Sequence, residues 1–319
     1  MNSISVIIPT YNRAPVLEET LRALASCVTA VASAEIIVVD NNSTDATVEV
    51  VRKFSRVMPL RYLHERKPGK NCALNRAVTE CRLGDFVVFL DDDITVAPDA
   101  FVQILRAGCE FPDADVFGAR IHVPVPMGTP PKWMELEWVR MFGFGWHDFG
   151  DKPLLYEGSV TPMGGCYWVR KRVFEKVPRF DESIGPRPRN RIMGSEVSHL
   201  MALRAHGFRA VYYPAVTVIH RVAGSEFSLR ALCRRAFRQG RGEVALYGVH
   251  RDRLLRRGQD LWCAVALVDF AWAALRFSAG WLMPDPRFRA ALVLRAAVRF
   301  GKLYQSCIAL SSERLRHNL

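Results

Sequence analysis

The sequence predicts an α/β domain on a mostly parallel central sheet flanked by helices, followed by a helical C-terminal extension. Three observations carry this. Short apolar runs alternate with amphipathic helical patterns over roughly the first hundred residues, as in βαβ units. Three of those runs end in polar clusters: Pro9-Thr10-Tyr11-Asn12-Arg13, Asp40-Asn41-Asn42-Ser43 and Asp91-Asp92-Asp93. In the last third the alternation gives way to long helical patterns.

The elements follow in order. Ile4 to Ile8 reads as a strand. Pro15 suits the first turn of a helix whose apolar face is Leu17, Leu21, Leu24 and Val28. Glu35-Ile36-Ile37-Val38-Val39 is a second strand ending at Asp40. Ser43 or Thr44 can cap the next helix, which buries Val48, Val51 and Phe54. Arg61-Tyr62-Leu63 is a short strand, and a helix follows Gly69 with Leu74, Ala77, Val78 and Cys81 inward. Phe86-Val87-Val88-Phe89-Leu90 is a buried strand leading into the acidic triplet. Pro98 starts a helix carrying Phe101, Ile104 and Leu105. In such sheets ligands bind beyond the carboxyl ends of the strands, so the three polar clusters converge on one edge.

From about 120 to 195 the pattern is irregular and rich in Pro, Gly and Trp. Long irregular segments inside compact domains are usually functional. Glu196 to His206 reads as a helix ended by Gly207, and Arg209–Tyr213 and Val216–Ile219 read as extended. Leu261 to Leu282 is apolar and long enough to span a bilayer. Asp269 and Arg276 interrupt it on one face, each at a cost of roughly 2.5–3.5 kcal/mol at a membrane centre. Pro284 and Pro286 break the run. Arg295, Arg299 and Lys302 then form a basic stripe among Leu292, Val293, Val298, Phe300 and Leu303. Such a helix can lie in an anionic membrane surface; the alternative is a helical pair packed on the protein.

The 319-residue chain carries a net charge of +12, concentrated late, as at Arg230, Arg234, Arg235, Arg238, Arg241, Arg251, Arg253, Arg256 and Arg257. No helix-turn-helix, RNA-binding or zinc-finger pattern accompanies it. The expected partners are therefore phosphate-bearing ligands and lipid headgroups, with no nucleic acid. Ser5-Val6-Ile7-Ile8 runs straight into Pro9, too short for a secretory apolar region. The eight cysteines show no CxxC pair and fit reduced thiols. The expected location is cytoplasmic, peripheral on the inner face of the cell membrane.

Three adjacent carboxylates at a strand tip repel each other. A hard, oxygen-ligated cation, Mg²⁺ or Mn²⁺, relieves that repulsion, usually shared with phosphate oxygens. The alternative is an acidic solvated turn.

Six blocks, in order over about residues 4–222, carry a resemblance. They are Val6-Ile7-Ile8-Pro9-Thr10-Tyr11-Asn12-Arg13; Ile36 through Asp45; Pro68-Gly69-Lys70-Asn71 with Ala73-Leu74-Asn75; the triplet with Pro98-Asp99; Gly164-Gly165-Cys166 followed by Arg170 and Phe174; and Gly194-Ser195-Glu196 with Gly207, Tyr212, Pro214 and His220. Together they resemble the family 2 glycosyltransferases. The resemblance implies the GT-A fold, a Rossmann-like sheet shared by two halves. Residues 1–225 are then the catalytic domain, with a nucleotide-binding half at 1–115 and an acceptor half at 116–225. Residues 226–319 form the basic helical extension.

With this support the residues take roles. Thr10 and Tyr11, with Pro9 and Arg13 beside them, face a nucleotide base that can stack on the Tyr11 ring. Asp40, next to Asn42, can accept from a base N–H or a ribose hydroxyl. Lys70 at a helix start suits a diphosphate. Asp91 or Asp92 takes ribose and Asp93 the metal, which bridges the diphosphate. The resemblance adds His220 as a metal or diphosphate contact and Gly164 and Gly165 on the acceptor side. Glu196 at a helix start is the expected base, deprotonating an acceptor hydroxyl. Many relatives have Glu-Asp here, some using the Asp as base; Val197 replaces it, leaving Asp181 and Glu182 as reserves. Arg187, Arg189 and Arg191 can form a loop closing on phosphate. Trp133, Trp138 and Trp146 can stack on sugars or fill the core.

The expected activity is metal-dependent, inverting transfer from a nucleotide sugar, a UDP-sugar by preference, to a glycan or lipid-linked hydroxyl acceptor. Two readings compete. A sugar nucleotidyltransferase would carry a Gly-rich basic loop after the first strand, and Pro9-Thr10-Tyr11-Asn12-Arg13 is not one. A catalytically degenerate nucleotide-binding or scaffold protein is favoured only by Val197.

Overall fold

The computed structural model describes residues 2–31, 33–125, 130–158, 160–188, 190–247 and 259–317. Arg189 and the arginines at 251, 253, 256 and 257 lie outside them. The chain divides into two compact units. One is Met1–Pro124, Phe144–Ser183 and Ser195–Val222; the other is Val125–Gly143, Ile184–Gly194 and Ala223–Leu319.

The first unit holds a nine-stranded sheet: β1 (Ile4–Thr10), β2 (Ala34–Asp40), β3 (Leu60–His64), β4 (Phe86–Leu90), β5 (Ile94–Val96), β6 (Val116–His122), β7 (Leu154–Leu155), β8 (Cys166–Arg170) and β9 (Ala210–His220). The order is β3-β2-β1-β4-β8-β6-β9-β5, with β7 on β9. The strands β3, β2, β1 and β4 are mutually parallel, as the βα alternation predicts. Beyond β4 the sheet is mixed: β8 runs antiparallel to β4 and β6, while β6 and β9 are parallel.

The parallel strands are apolar on both faces because helices cover both. Along β1, Val6 and Ile8 enter one core with Leu17, Leu21 and Leu24 of α1 (Ala14–Val28) and Phe101 and Ile104 of α4 (Ala100–Glu110). Ile7 enters the opposite core with Leu74 and Ala77 of α3 (Lys70–Glu80), Phe89, and Leu200 and Leu203 of α6 (Ser195–Ala205). This is the period-two rule of a strand between two layers.

Several details differ from the sequence expectation. The helix α2 (Thr47–Phe54) is not capped by Ser43 or Thr44. Asp45 instead accepts from the Thr47 backbone N–H at 3.2 Å and its hydroxyl at 2.5 Å, while the Ser43 hydroxyl accepts from the Asn12 N–H at 2.9 Å. Thr47 and Val50 take inner positions with Val51 and Phe54, leaving Val48 half-buried. Strands β6 and β8 lie in or beside the stretch without visible periodicity. Cys166-Tyr167-Trp168-Val169 is buried on both faces and therefore shows no alternation. The two extended segments after α6 are one strand. Its register to β6 shifts between Ala119 and Arg120, which absorbs Pro214, Ala215 and Val216 as a bulge.

The second unit contains α5 (Glu137–Phe144, its last residue in the first unit), α7 (Leu229–Tyr247), α8 (Gln259–Leu282) and α9 (Pro286–His317). α7 and α9 touch backbone to backbone at two glycines. A Cβ on Gly240 would fall 1.9 Å from the Val298 carbonyl oxygen, and one on Gly301 2.0 Å from that of Phe237. Val293, Leu294, Ala296 and Ala297 of α9 are buried. Trp133 is 6 % exposed, so it fills core instead of offering a ring to a sugar; Trp138 is exposed. Among the described residues no helix is long and apolar enough to cross a membrane. Cys27, Cys81, Cys109, Cys166 and Cys233 are free thiols.

Two buried histidines of the first unit make stability pH-dependent. Burial holds His199 down to about 3, although Glu196 opposes this, and holds His147 down to about 4. His199 stacks on Phe180 at 4.0 Å, and His147 meets the Tyr156 hydroxyl at 2.6 Å. A depressed histidine is neutral in the fold, so its contribution is whole above the unfolded value of about 6.5 and is lost as pH falls below it. Burial raises Asp92 to about 6, and that group works in the opposite sense. The difference between wild type and His199→Phe therefore isolates the histidine. In urea unfolding, that difference should shift by roughly 2 kcal/mol between pH 7 and pH 5. A pH-independent difference would contradict this.

Candidate active site

The site is built where β1, β2 and β4 end together. Thr10 is level with Asp40 across β1 and β2. Two asparagines with positive φ, Asn12 (51°) and Asn42 (67°), turn the chain out of β1 and β2. The Asn12 side-chain oxygen accepts from the Thr44 N–H at 2.7 Å, tying the two turns together. Tyr11 is 43 % exposed, and its ring is open to solvent. Asp40 is buried; one oxygen accepts from the Ser43 N–H at 2.8 Å and the other from the Tyr62 hydroxyl at 2.9 Å. Asn42 is exposed and its side-chain oxygen lies 3.2 Å from His64 Nε2.

The three carboxylates of the triplet point to different partners. Asp92 turns inward, accepting from Thr10 Oγ1 at 2.8 Å and from Arg13 Nη1 at 2.5 Å. It is 4 % exposed with both oxygens engaged, so the expectation that it holds ribose does not match its placement. Asp91 accepts from Lys70 Nζ at 2.5 Å and keeps 32 % of its side chain exposed. Burial raises its pKa, with Lys70 opposing and the Glu196 and Asp93 charges adding to the rise. Asp93 accepts from Arg13 Nη2 at 2.9 Å through Oδ2. Its Oδ1 is buried without a hydrogen bond; His220 Nε2 stands 3.5 Å away. Burial works to raise Asp93, but His220 and Arg13 outweigh it and hold it well below the usual carboxylate range.

Asp93 Oδ1 and His220 suit a divalent cation. The oxygen is a buried acceptor with nothing to accept from. His220 Nδ1 lies 2.5 Å from the Phe144 carbonyl, so it carries a proton; burial works to lower the His220 pKa, but Asp93 outweighs it and raises it, so a cation on Asp93 Oδ1 would take the place of the second proton at Nε2. No cluster of three or more His, Cys, Asp or Glu suited to a metal occurs among the described residues. Two protein ligands with the remainder from phosphate and water is the usual arrangement for Mg²⁺.

Lys70 joins the triplet to the candidate base. Its Nζ donates both to Asp91 and to Glu196 Oε1. Burial works against its charge, but the two carboxylates outweigh burial and raise its pKa. It is therefore a paired cation, not the open lysine that a helix-start position suggests. Glu196 lies in the first turn of α6. That helix start is held by Ser195 Oγ, which donates to Asn71 Oδ1, next to Lys70. The reserve carboxylates are committed elsewhere. Asp181 accepts from Ser183, and Glu182 from Lys67 and Asn75. Gly164 faces Glu196, and Gly165 faces Ile94 and Ile121 while its carbonyl accepts from the Asp91 N–H at 3.1 Å. Arg191 and Trp133 belong to the second unit, where Arg191 is exposed and near enough to Arg238 to lower its pKa, burial being the larger cause.

Four residues of the site were not singled out from sequence. Arg221 donates to Thr20 Oγ1 at 2.7 Å and to the Val16 carbonyl at 2.8 Å, and its N–H donates to the Asp93 carbonyl at 2.9 Å. Thr20 in turn donates to the Asp92 carbonyl at 2.6 Å. Asn41 accepts from the Gly69 N–H at 2.7 Å and so sets the start of α3. Asn75 receives the Phe180 N–H at 2.7 Å and donates back to its carbonyl at 3.0 Å. Asn41 and Asn75 stand in the motif blocks, which was the available signal; Arg221 had only its adjacency to His220.

The model of the family described as glycosyl transferase family 2 matches residues 5–178, more than half of the chain. The chain belongs to glycosyl transferase family 2. It is a glycosyltransferase. Among curated relatives, it is 34% identical over 105 residues to the validoxylamine A glucosyltransferase of Streptomyces hygroscopicus subsp. jinggangensis, covering 33% of this chain and 25% of that one. It is 27% identical over 306 residues to the succinoglycan biosynthesis protein ExoM of Rhizobium meliloti, covering 94% and 93%. Thus the chain spans a quarter of the first relative's length and nearly all of the second's.

Among solved structures, the glycosyltransferase is similar to the mannosyltransferase PcManGT from Pyrobaculum calidifontis in complex with GDP-Man and Mn²⁺, with TM-score 0.57, 18% identity, and coverage of 98% of this chain and 75% of that one. It is also similar to S. aureus TarS 1-349, with TM-score 0.54, 15% identity, and coverage of 96% and 92%. At these identities the likeness shows the fold, which is GT-A.

A Cβ on Gly164 would lie 2.6 Å from Glu196 Cγ and Cδ, whereas one on Gly165 would first meet a methyl of Ile94 at 3.3 Å. Gly164→Ala should therefore displace the Glu196 carboxylate at small cost in stability. Transfer activity is expected to fall about 100-fold, since ångström-scale misplacement has that effect, with the melting temperature nearly unchanged. Full activity in Gly164→Ala would show that the carboxylate's position does not matter.

Proposed function

We propose that this glycosyltransferase is a metal-dependent, inverting enzyme that moves one sugar from a nucleotide sugar, a UDP-sugar by preference, to a hydroxyl of a glycan or lipid-linked acceptor. One observation carries the proposal. Glu196, at a helix start, is joined through Lys70 to the acidic triplet and faces the space that Gly164 leaves open.

The residues divide the work. Tyr11 offers an exposed ring for the base, while Asp40, buried and engaged through both oxygens by Ser43 and Tyr62, shapes the end of β2 and does not itself meet the base as expected. Asp91 takes a ribose hydroxyl from its more exposed position. Asp93 and His220 would hold Mg²⁺ or Mn²⁺. When bound, the cation neutralises charge on the diphosphate as it leaves. Lys70 has a third N–H for the diphosphate while it aims Glu196.

The chemistry is a single displacement. The acceptor oxygen forms a bond to the anomeric carbon as the bond to the diphosphate oxygen breaks, which inverts the configuration. Glu196 accepts the acceptor proton, and the nucleoside diphosphate leaves with the electron pair. The relatives' names support a glycan product: ExoM is named for succinoglycan biosynthesis. The solved neighbours carry either donor type, GDP-Man in PcManGT and UDP-GlcNAc in TarS, so likeness does not choose the base and the donor panel below does.

The test combines a donor panel with two variants. A UDP-sugar with Mn²⁺ or Mg²⁺ should raise the melting temperature by mass action, and chelation should abolish both that shift and turnover. Glu196→Gln should keep donor binding but lower kcat by a factor on the order of 10²–10⁴. Asp93→Asn should lose metal-dependent donor binding. Full transfer by either folded variant, or by chelated enzyme, would overturn the proposal, and a response only to GDP-sugars would overturn the uridine assignment.

A further inference from the structure

Helix α8 presents an apolar face that none of the described residues of its unit covers. Its inner side is closely packed on α9. Ala273 and Gly280 are buried, a Cβ on Gly280 would lie 2.6 Å from Val293 Cγ2, and the rings of Phe270 and Phe277 meet Phe300 at 5.5 and 6.1 Å. Asp269 on that side receives Arg299. The outward side carries Leu267, Val268, Ala271, Trp272, Leu275 and Leu282, whose spacing places them together on one helix face. Leu282 is 81 % exposed, Leu267 68 %, Leu275 58 %, Val268 57 % and Trp272 54 %. A largely apolar face of this kind marks an interaction surface.

We propose that the outward face of α8 docks the protein on an anionic lipid surface. The chemistry of the face selects lipid over protein. Its described residues are Leu, Val, Ala and Trp with one serine, Ser278, among them and Arg276 exposed at its margin, and no acidic side chain joins them. Trp272 and Trp281 suit the headgroup level. Arg276 is exposed on α8 and Arg295 on α9. This positive charge complements anionic headgroups. No described helix can cross a membrane, and the Asp269–Arg299 pair on the inner side suits a helix lying in the interface.

The docking face is thus not the α9 stripe marked by the sequence. Arg299 is paired with Asp269 and Lys302 with Glu243, and the α9 residues around them pack inward. Two of the three stripe cations hold the helices together, and α8 carries the apolar surface instead. This inference is independent of the catalytic reading, because its readout is partitioning.

The experiment is flotation of the full chain with phosphatidylcholine vesicles and with mixed phosphatidylglycerol–phosphatidylcholine vesicles. Wild type should float with the mixed vesicles, and added salt should weaken that binding. The triple variant Leu267→Gln/Leu275→Gln/Leu282→Gln should lower the bound fraction at least about tenfold, because apolar insertion is lost, with its melting temperature retained. The single variants Leu275→Gln and Leu282→Gln, made in parallel, should each lower it if the triple variant misfolds. Failure of wild type to bind anionic vesicles, or equal binding by the folded variants, overturns the proposal. So does a dimer in light scattering that the substitutions dissolve without vesicle binding, which would assign the face to a second copy of the chain.

Discussion

The first unit depends on keeping three adjacent carboxylates in a largely buried place at the end of β4. Left alone, such groups would protonate or repel. Cations from other parts of the chain prevent that: Arg13 after β1 bridges Asp92 and Asp93, Lys70 of α3 meets Asp91, and His220 ends β9 beside Asp93. The arrangement thus ties β1, β4, α3 and β9 to one point. Arg221 and Thr20 fix the backbone of the same turn through the Asp92 and Asp93 carbonyls.

This constraint also organises the chemistry. Lys70 is shared by Asp91 and Glu196, so the donor side and the acceptor side of the proposed reaction meet at one ammonium group. Asn71 and Asn75 on the same helix hold Ser195 and the Phe180 backbone, which positions the segments that frame Glu196. α3 is therefore a platform as much as a phosphate-facing helix start. Glu196 is the acceptor-side carboxylate on Lys70, since Asp181 and Glu182 bond elsewhere.

Much of this was legible in the sequence where local pattern and topology agree. The apolar runs of β1, β2 and β4 and the amphipathic face of α1 are set by burial, and parallel pairing brings Thr10, Asp40 and Asp91 to one edge. Asp92 was misplaced because adjacent residues on a turn diverge in direction, which identity alone does not encode. β8 was missed because a strand buried on both faces has no alternation to detect. Arg221 was missed because its partners Val16, Thr20 and Asp93 are far from it in sequence. The basic stripe of α9 was misread because charge spacing marks a face, whereas the ion pairs to Asp269 and Glu243 decide which way that face turns.

The central claim is that the triplet with its cations is a donor-coupled metal site, with Asp93 Oδ1 the open position. Mn²⁺ titration followed by electron paramagnetic resonance tests it directly. With two protein ligands, Mn²⁺ should bind weakly to the protein alone and much more tightly when UDP is present, and Asp93→Asn should abolish the tight binding. Mn²⁺ binding that is indifferent to UDP, or that survives in a folded Asp93→Asn variant, would contradict the account.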